Sequence, residues 1–314
     1  NDLILDGKGL QGKGSIDFLT AHIESTSLTM LPDSIIGSAQ VITNTPSDRR
    51  NTAGMDGING AFVFRPSKEQ LDLKTVQSAF DFYDQEARLN GIATVTKQGF
   101  SGMGTLALKE ASLSSESFDF KMRNATSPSA SFTLDGNRSK IAAFQTDDVR
   151  CDLDFEDRLG VFTPNSGETK IELPIQQYIC FMDRFRWYMD EDEIDLLSNR
   201  MQKDLPLDFS DDRTISNFIS AHPDQDSLHF LSSSATYRIG EDLLLCKGVL
   251  SLAVADSRIL PDSGFLTIRA DAKMDELVHA QIVSNATTKH HFIDSAFLNI
   301  NGRFDFEGAG FYNY

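Results

Sequence analysis

Residues 9–30, GLQGKGSIDFLTAHIESTSLTM, return ninety positions later as residues 99–120, GFSGMGTLALKEASLSSESFDF. Six positions are identical: Gly9/Gly99, Gly12/Gly102, Gly14/Gly104, Ala21/Ala111, Ser25/Ser115 and Ser27/Ser117. Six more keep a bulky apolar residue, at 10, 16, 18, 23, 28 and 30 against 100, 106, 108, 113, 118 and 120. An internal repeat constrains a fold more than any single motif. Each copy is one supersecondary unit that cannot cover its apolar face alone and does so against its neighbours.

The local pattern inside and around the repeat has period two. Ser15-Ile16-Asp17-Phe18, Ala79-Phe80-Asp81-Phe82, Ser117-Phe118-Asp119-Phe120, Asp152-Leu153-Asp154-Phe155 and Arg303-Phe304-Asp305-Phe306 all alternate apolar with polar residues. Alternation sends successive side chains to opposite faces of a strand, so Phe faces a core and Asp faces water. Strands are expected at 15–19, 21–30, 60–66, 77–83, 104–109, 111–122, 184–189, 264–269, 296–301 and 303–306, among others. They are short and separated by Gly, Asn, Asp, Ser and Pro, which reads as an all-β chain. With 23 Phe and 1 Trp, phenylalanine is the main large core residue.

The front of the repeat, G-x-x-G-x-G, has the look of a phosphate-binding loop. Such a loop needs a helix after it, whose N-terminus faces the phosphates. Strand alternation follows both copies, so the glycines are assigned to a tight turn or a close approach of two backbones. Downstream, Val76, Asp81, Phe82 and Asp84 match Val149, Asp154, Phe155 and Asp157 at an offset of 73. The excess in the first copy falls on the polar segment 44–60, expected to be a surface loop. One helix is expected over 191–203, from Ile194, Leu197 and Met201 at helical spacing behind an acidic first turn. A second short helical turn is expected at 213–220. Two regions follow: 1–165, with related units near 9–88 and 99–160, and 166–314, which continues the β pattern. Strand-like sequence at both ends suggests a segment of a longer array.

Net charge is −17. Nucleic acid and anionic membrane surfaces need a basic face, so neither is an expected partner. No apolar run is long enough for a transmembrane helix. Cys151, Cys180 and Cys246 sit in strand-like contexts without Cys-x-x-Cys spacing and read as small buried hydrophobes.

Chemical constellations are weak. The acidic run 190–195 lacks the glycine of a calcium loop and reads as a solvated helix start. His222-Pro223-Asp224-Gln225-Asp226 reads as a turn, and His290 and His291, adjacent in a strand, point to opposite faces. No His-Glu-x-x-His, Gly-x-Ser-x-Gly or comparable nucleophile motif occurs. With 46 acidic residues some carboxylate pair is inevitable and carries no signal. No cofactor or metal is expected. An exposed aromatic platform for a ligand is best sought at Trp187 and Tyr188, then Tyr312 and Tyr314.

Three stretches carry a resemblance. H-P-x-Q-D-S-L within 218–237, V-A-D-x-x-I-x-P-D-x-G within 248–277, and the closing G-x-G-x-Y-x-Y of 290–314 resemble very long, uncharacterised β-repeat proteins of the Bacteroidetes cell envelope. The likeness implies export to the periplasm or cell surface, a much longer chain and a largely β architecture, and it supplies no site residues. The G-x-x-G-x-G-x-I/L strand repeat is also similar to AsmA/TamB-like envelope proteins, which implies an apolar channel for lipids. Asp33-Ser34-Ile35, Asp226-Ser227-Leu228 and Asp294-Ser295-Ala296 fit the O-glycosylation pattern of that phylum.

The resulting expectation is an elongated all-β protein, a β-solenoid or stacked-sheet repeat with at most one or two short helices. Its expected role is a non-enzymatic structural or binding module of a large exported envelope protein, with a protein or other envelope component as partner. Two alternatives stand beside it: a lipid-conducting β-groove, and a carbohydrate-binding or carbohydrate-active β-helix protein acting on polysaccharide.

Overall fold

Alternating sequence becomes strand almost throughout. The computed structural model of the chain describes residues 2–7, 9–136, 141–200, 215–285 and 291–312. Among the described residues the fold is all-β, with 27 strands in one large antiparallel sheet. Among the described residues, helical structure is confined to five 3-10 turns of three residues each. The chain divides into two units, Asn1–Phe132 with Arg150–Leu159, and Thr133–Val149 with Gly160–Tyr314.

The first unit is a meander of β1 (Asp2–Asp6), β2 (Gly9–Phe18), β3 (Ala21–Met30), β4 (Ile35–Asn44) and β5 (Met55–Arg65). It continues through β6 (Gln70–Lys74), β7 (Phe80–Phe82), β8 (Ala87–Thr96), β9 (Phe100–Ala107) and β10 (Ala111–Phe120). β6 and β7 act as one interrupted strand, since both pair with β5 on one side and β8 on the other.

The repeat is a bulged hairpin built twice. In β2–β3, Ile16 faces Ile23, Gly14 faces Ser25 and Gly12 faces Leu28, so Thr26 and Ser27 together oppose Lys13. In β9–β10, Leu106 faces Leu113, Gly104 faces Ser115 and Gly102 faces Phe118, so Glu116 and Ser117 together oppose Met103. Register and bulge are the same at an offset of ninety. A bulge disrupts the ladder locally, and the serine shared by both copies bonds across to the next strand at that point. Ser25 Oγ donates to Ser38 O at 2.8 Å, and Ser115 Oγ donates to Ser129 O at 2.7 Å. Across β8–β9, Gly91 faces Gly104 so closely that a Cβ on Gly104 would stand 2.3 Å from Asn90 O.

The apolar face closes on itself. In a flat sheet β7 and β10, three ladder steps apart, would be separated by about 14 Å. Instead the Phe82 and Phe120 ring centroids are 4.3 Å apart, so the sheet curls until its own face meets. The same happens between β2 and β5, where Phe18 and Phe64 are 5.0 Å apart. Tyr83 stacks on Phe155 at 4.0 Å, and its hydroxyl donates to the carbonyls of Lys121 and Asn124.

The second unit keeps the same logic with shorter strands. Phe185 lies against Phe162 at 4.4 Å and Phe144 at 5.0 Å, and Phe218 stacks on Phe230 at 5.1 Å. Three buried amide side chains inside it bond to main chain. Asn217 accepts from Ser232 N and donates to Ser232 O, both at 2.9 Å. Gln176 Nε2 and Gln225 Nε2 donate to the carbonyls of Asp242 and Ala272, two residues with left-handed backbone at tight turns.

Several expectations are corrected here. Residues 193–197 form the strand Glu193–Leu197, paired with Arg184–Tyr188 and Ser234–Arg238, where a helix was expected. Ile194 and Leu196, two apart, are both buried, so strand alternation overrides the helical spacing once neighbours on both edges are available. Met201, with 202 and 203, lies outside the described residues, as do 213 and 214 of the second expected helical turn. Phe218–Ser220 is a strand. The polar segment 44–60 is only partly a loop. β5 begins at Met55, and Asn44, Thr52 and Ala53 are buried. Ala53 N donates to Phe120 O, and Met122 N to Asn51 Oδ1, so this loop plugs the curl. Val76 is exposed where Val149 is buried, so the downstream match fails at that position. Residues 303–305 form a turn and Phe304 is exposed. The last strand is Phe306–Tyr312.

Candidate functional site

The bulges create the surface features that recur. Over the second copy lies a depression of about 620 Å³ lined by Ile92, Met103, Gly104, Thr105, Ser115 and Glu116, among others. Over the first lies one of about 410 Å³ lined by Lys13, Gly14, Ser15, Glu24, Ser25 and Thr26, with Gln40. Six lining positions correspond at the offset of ninety: 13/103, 14/104, 15/105, 24/114, 25/115 and 26/116. The depressions exist because the bulge pushes the strand aside while glycine and serine fill little space. Their chemistry differs: Met103 and Ile92 make one apolar, while Lys13 and Glu24 make the other charged. A fixed frame with a variable lining is how repeat proteins diversify a surface. A third depression, in the second unit, is lined by Thr133, Gln145, Thr146, Asp147, Thr169 and Lys170, with Glu172.

The aromatic candidates separate. Trp187 faces Ile194 across the hairpin and is 5% exposed, with Phe185 fully buried beside it. Neither presents a face for stacking, because both belong to the interior. Tyr188 is half-buried and faces Glu193. The acids 190–192 form the turn of that hairpin, with Asp192 in left-handed backbone. Tyr312 is 46% exposed, and its hydroxyl lies 3.3 Å from His291 Nδ1. Tyr314 and His290 lie outside the described residues. Sequence reasoning missed the exposed rings of Phe292, Phe297 and Phe311 near Tyr312. Ser295, in left-handed backbone, sits where the register of strands His291–Ile300 and Phe306–Tyr312 shifts. That shift breaks the alternation by which an outward-facing residue could be read.

His222 Nδ1 accepts from Asp224 N at 3.2 Å at the start of the Pro223–Gln225 turn, so this His-acid run shapes the chain locally. Among the described residues, no cluster of three or more His, Cys, Asp or Glu converges as a metal site, and no helix is long and apolar enough to cross a membrane. The serines of the three Asp-Ser triplets lie at a hairpin turn (Ser34), in a left-handed turn (Ser227) and at a bulge (Ser295), each partly exposed.

One titration lies on the first repeat hairpin. His22 Nδ1 is 2.6 Å from Asp17 Oδ1, with Glu24 beyond, and that hydrogen bond holds the imidazole above its ordinary 6.5. A raised pKa adds stability below pH 6.5, and that stability is lost as the pH climbs through the folded value. The pair is exposed, so salt weakens it. An NMR titration is expected to show His22 titrating above 6.5, with Asp17→Asn lowering the value.

Compared with known proteins, the chain matches no family model, no curated protein and no solved structure.

Proposed function

We propose that this chain is a non-enzymatic structural or binding module of a large exported cell-envelope protein, with repeated units stacked as a β-solenoid. The observation that carries the reading is that each unit closes its own apolar interior. Phe80, Phe82, Phe100, Phe118, Phe120, Phe132, Phe144, Phe162 and Phe185 are each under 2% exposed. A lipid conduit needs an apolar face that an acyl chain can enter. Here those rings are covered by their own sheet, so the apolar residues supply cohesion. The varied linings of the two bulge depressions support a surface that engages an envelope component. A carbohydrate-binding reading draws on the exposed rings Phe292, Phe297, Phe311 and Tyr312, since aromatic faces stack on sugars. Trp187, its first candidate, contributes nothing to it.

Native mass spectrometry of protein purified from cells tests the reading. The expected mass is that of the bare polypeptide. A stoichiometric lipid adduct that survives purification overturns the structural role in favour of lipid conduction.

A further inference from the structure

The depression in the second unit sits on the same local device as the two over the repeated hairpins. A hydroxyl residue turns inward, two exposed residues follow, and an apolar residue is buried three places on: Ser25 with Leu28, Ser115 with Phe118, Thr146 with Val149. Each hydroxyl donates to a carbonyl of a neighbouring strand: Ser38 O at 2.8 Å, Ser129 O at 2.7 Å and Lys170 O at 2.9 Å. Thr169 Oγ1 lies 2.7 Å from Thr146 Oγ1 and completes the floor of the third depression. The residues on either side of the hydroxyl line the depression each time: Glu24 and Thr26, Ser114 and Glu116, Gln145 and Asp147.

The copies differ in what the flanking side chains have left to offer. Glu24 lies 3.8 Å from His22 Nε2, and Ser114 Oγ lies 3.0 Å from Thr105 Oγ1. The side chains of Gln145 and Asp147 make no hydrogen bond or ion pair among the described residues. Beside them stand the Thr133 hydroxyl and the pair Lys170–Glu172, 2.5 Å apart. The depression holds about 370 Å³, within the range of small-ligand sites.

We propose that this depression binds a neutral saccharide. It offers donors from the Gln145 amide, the Thr133 hydroxyl and the Lys170 ammonium, beside acceptors from the Gln145 carbonyl, Asp147 and Glu172. A sugar hydroxyl donates and accepts at once, so a ring with adjacent hydroxyls meets both sets. An ammonium ligand would leave the donors unmatched. An anion is repelled, because two carboxylates against one ammonium leave the rim negative on a chain of net charge −17. The bonded Thr146 and Thr169 hold the floor in place before the ligand arrives, which lowers the cost of binding.

The proposal rests on the binding role stated above and gives it a ligand class. A lipid adduct would sink the structural role and leave this test unaffected, while failure here leaves the structural role standing. Methyl glycosides of glucose, galactose, mannose and N-acetylglucosamine are added at millimolar concentration to the full chain with isotope-labelled threonine methyl groups. The expected result is a saturable NMR shift at the methyls of Thr133, Thr146 and Thr169 with at least one glycoside. Gln145→Ala with Asp147→Ala, a half-buried and an exposed position, is expected to weaken that binding by about tenfold. Inorganic phosphate and lysine methyl ester, added in parallel, are expected to leave these methyls unmoved. No saturable shift with any of the glycosides overturns the proposal. So does a response to phosphate or to lysine methyl ester alone, or saccharide binding that the double substitution does not weaken.

Discussion

Phe82→Ala is expected to remove about 4 kcal/mol of folding stability, read as a lower urea midpoint, because it empties a site that cannot refill. Phe82 is 1% exposed and meets Phe120 at 4.3 Å, Phe100 at 5.5 Å and Tyr83 at 6.1 Å. Phe100 and Phe120 come from β9 and β10, two and three ladder steps from β7, and the curl brings them together, so the substitution loosens the curl itself as well as a local contact. Phe311→Ala, at a ring 74% exposed, serves as the contrast and is expected to change stability by less than about 0.5 kcal/mol. Equal losses at the two positions would mean that the interior is not where the stability lies.

Gly104→Ala is expected to be strongly destabilising. The new Cβ would lie 2.3 Å from Asn90 O and 2.8 Å from Gly91 Cα, both backbone atoms that cannot swing aside, at a φ of +129°. Forced overpacking together with an unfavourable φ gives an expected loss of about 3 kcal/mol. Gly167→Ala isolates the conformational part. Its φ is +58° and nothing lies within 4 Å of the added Cβ, so an expected loss of about 1 kcal/mol reflects left-handed backbone alone. The difference between the two thermal unfolding shifts measures how tightly β8 and β9 approach at the bulge.

Much of this was legible before any coordinates. Residues 21–30 were expected as a strand and are β3, and the glycines of the repeat do shape backbone. The identities Ser25/Ser115 had no evident reason in sequence. Their reason is a bond from each serine hydroxyl to a carbonyl on the next strand, Ser38 O and Ser129 O, a relation that exists only after the strands have paired. Where sequence reading failed, non-local pairing decided. Ile194, Leu197 and Met201 satisfy a helical pattern, but Trp187 and Phe185 on one side and Tyr237 and Ala235 on the other hold 193–197 as a central strand. Segment 44–60 is polar enough for a loop, yet the curled sheet leaves a gap that Ala53 and Asn44 fill. Trp187, the best ligand candidate by composition, is core because its strand has neighbours on both sides. The exposed rings beyond 291 were hidden by one left-handed residue, Ser295, that breaks the alternation.

The closed interior of each unit can be tested by the reactivity of its own cysteines. Cys151 in the first unit and Cys180 and Cys246 in the second are all buried free thiols. Burial pushes the Cys151 thiol up to about 12 and raises Cys180 and Cys246 as well, which suppresses the reactive thiolate. Labelling with a water-soluble disulfide reagent at neutral pH is expected to leave all three thiols unreacted in the native protein and to modify all three in denaturant. Rapid native labelling of Cys180 or Cys246 would contradict the account, since it would mean that the Phe-lined interior stands open.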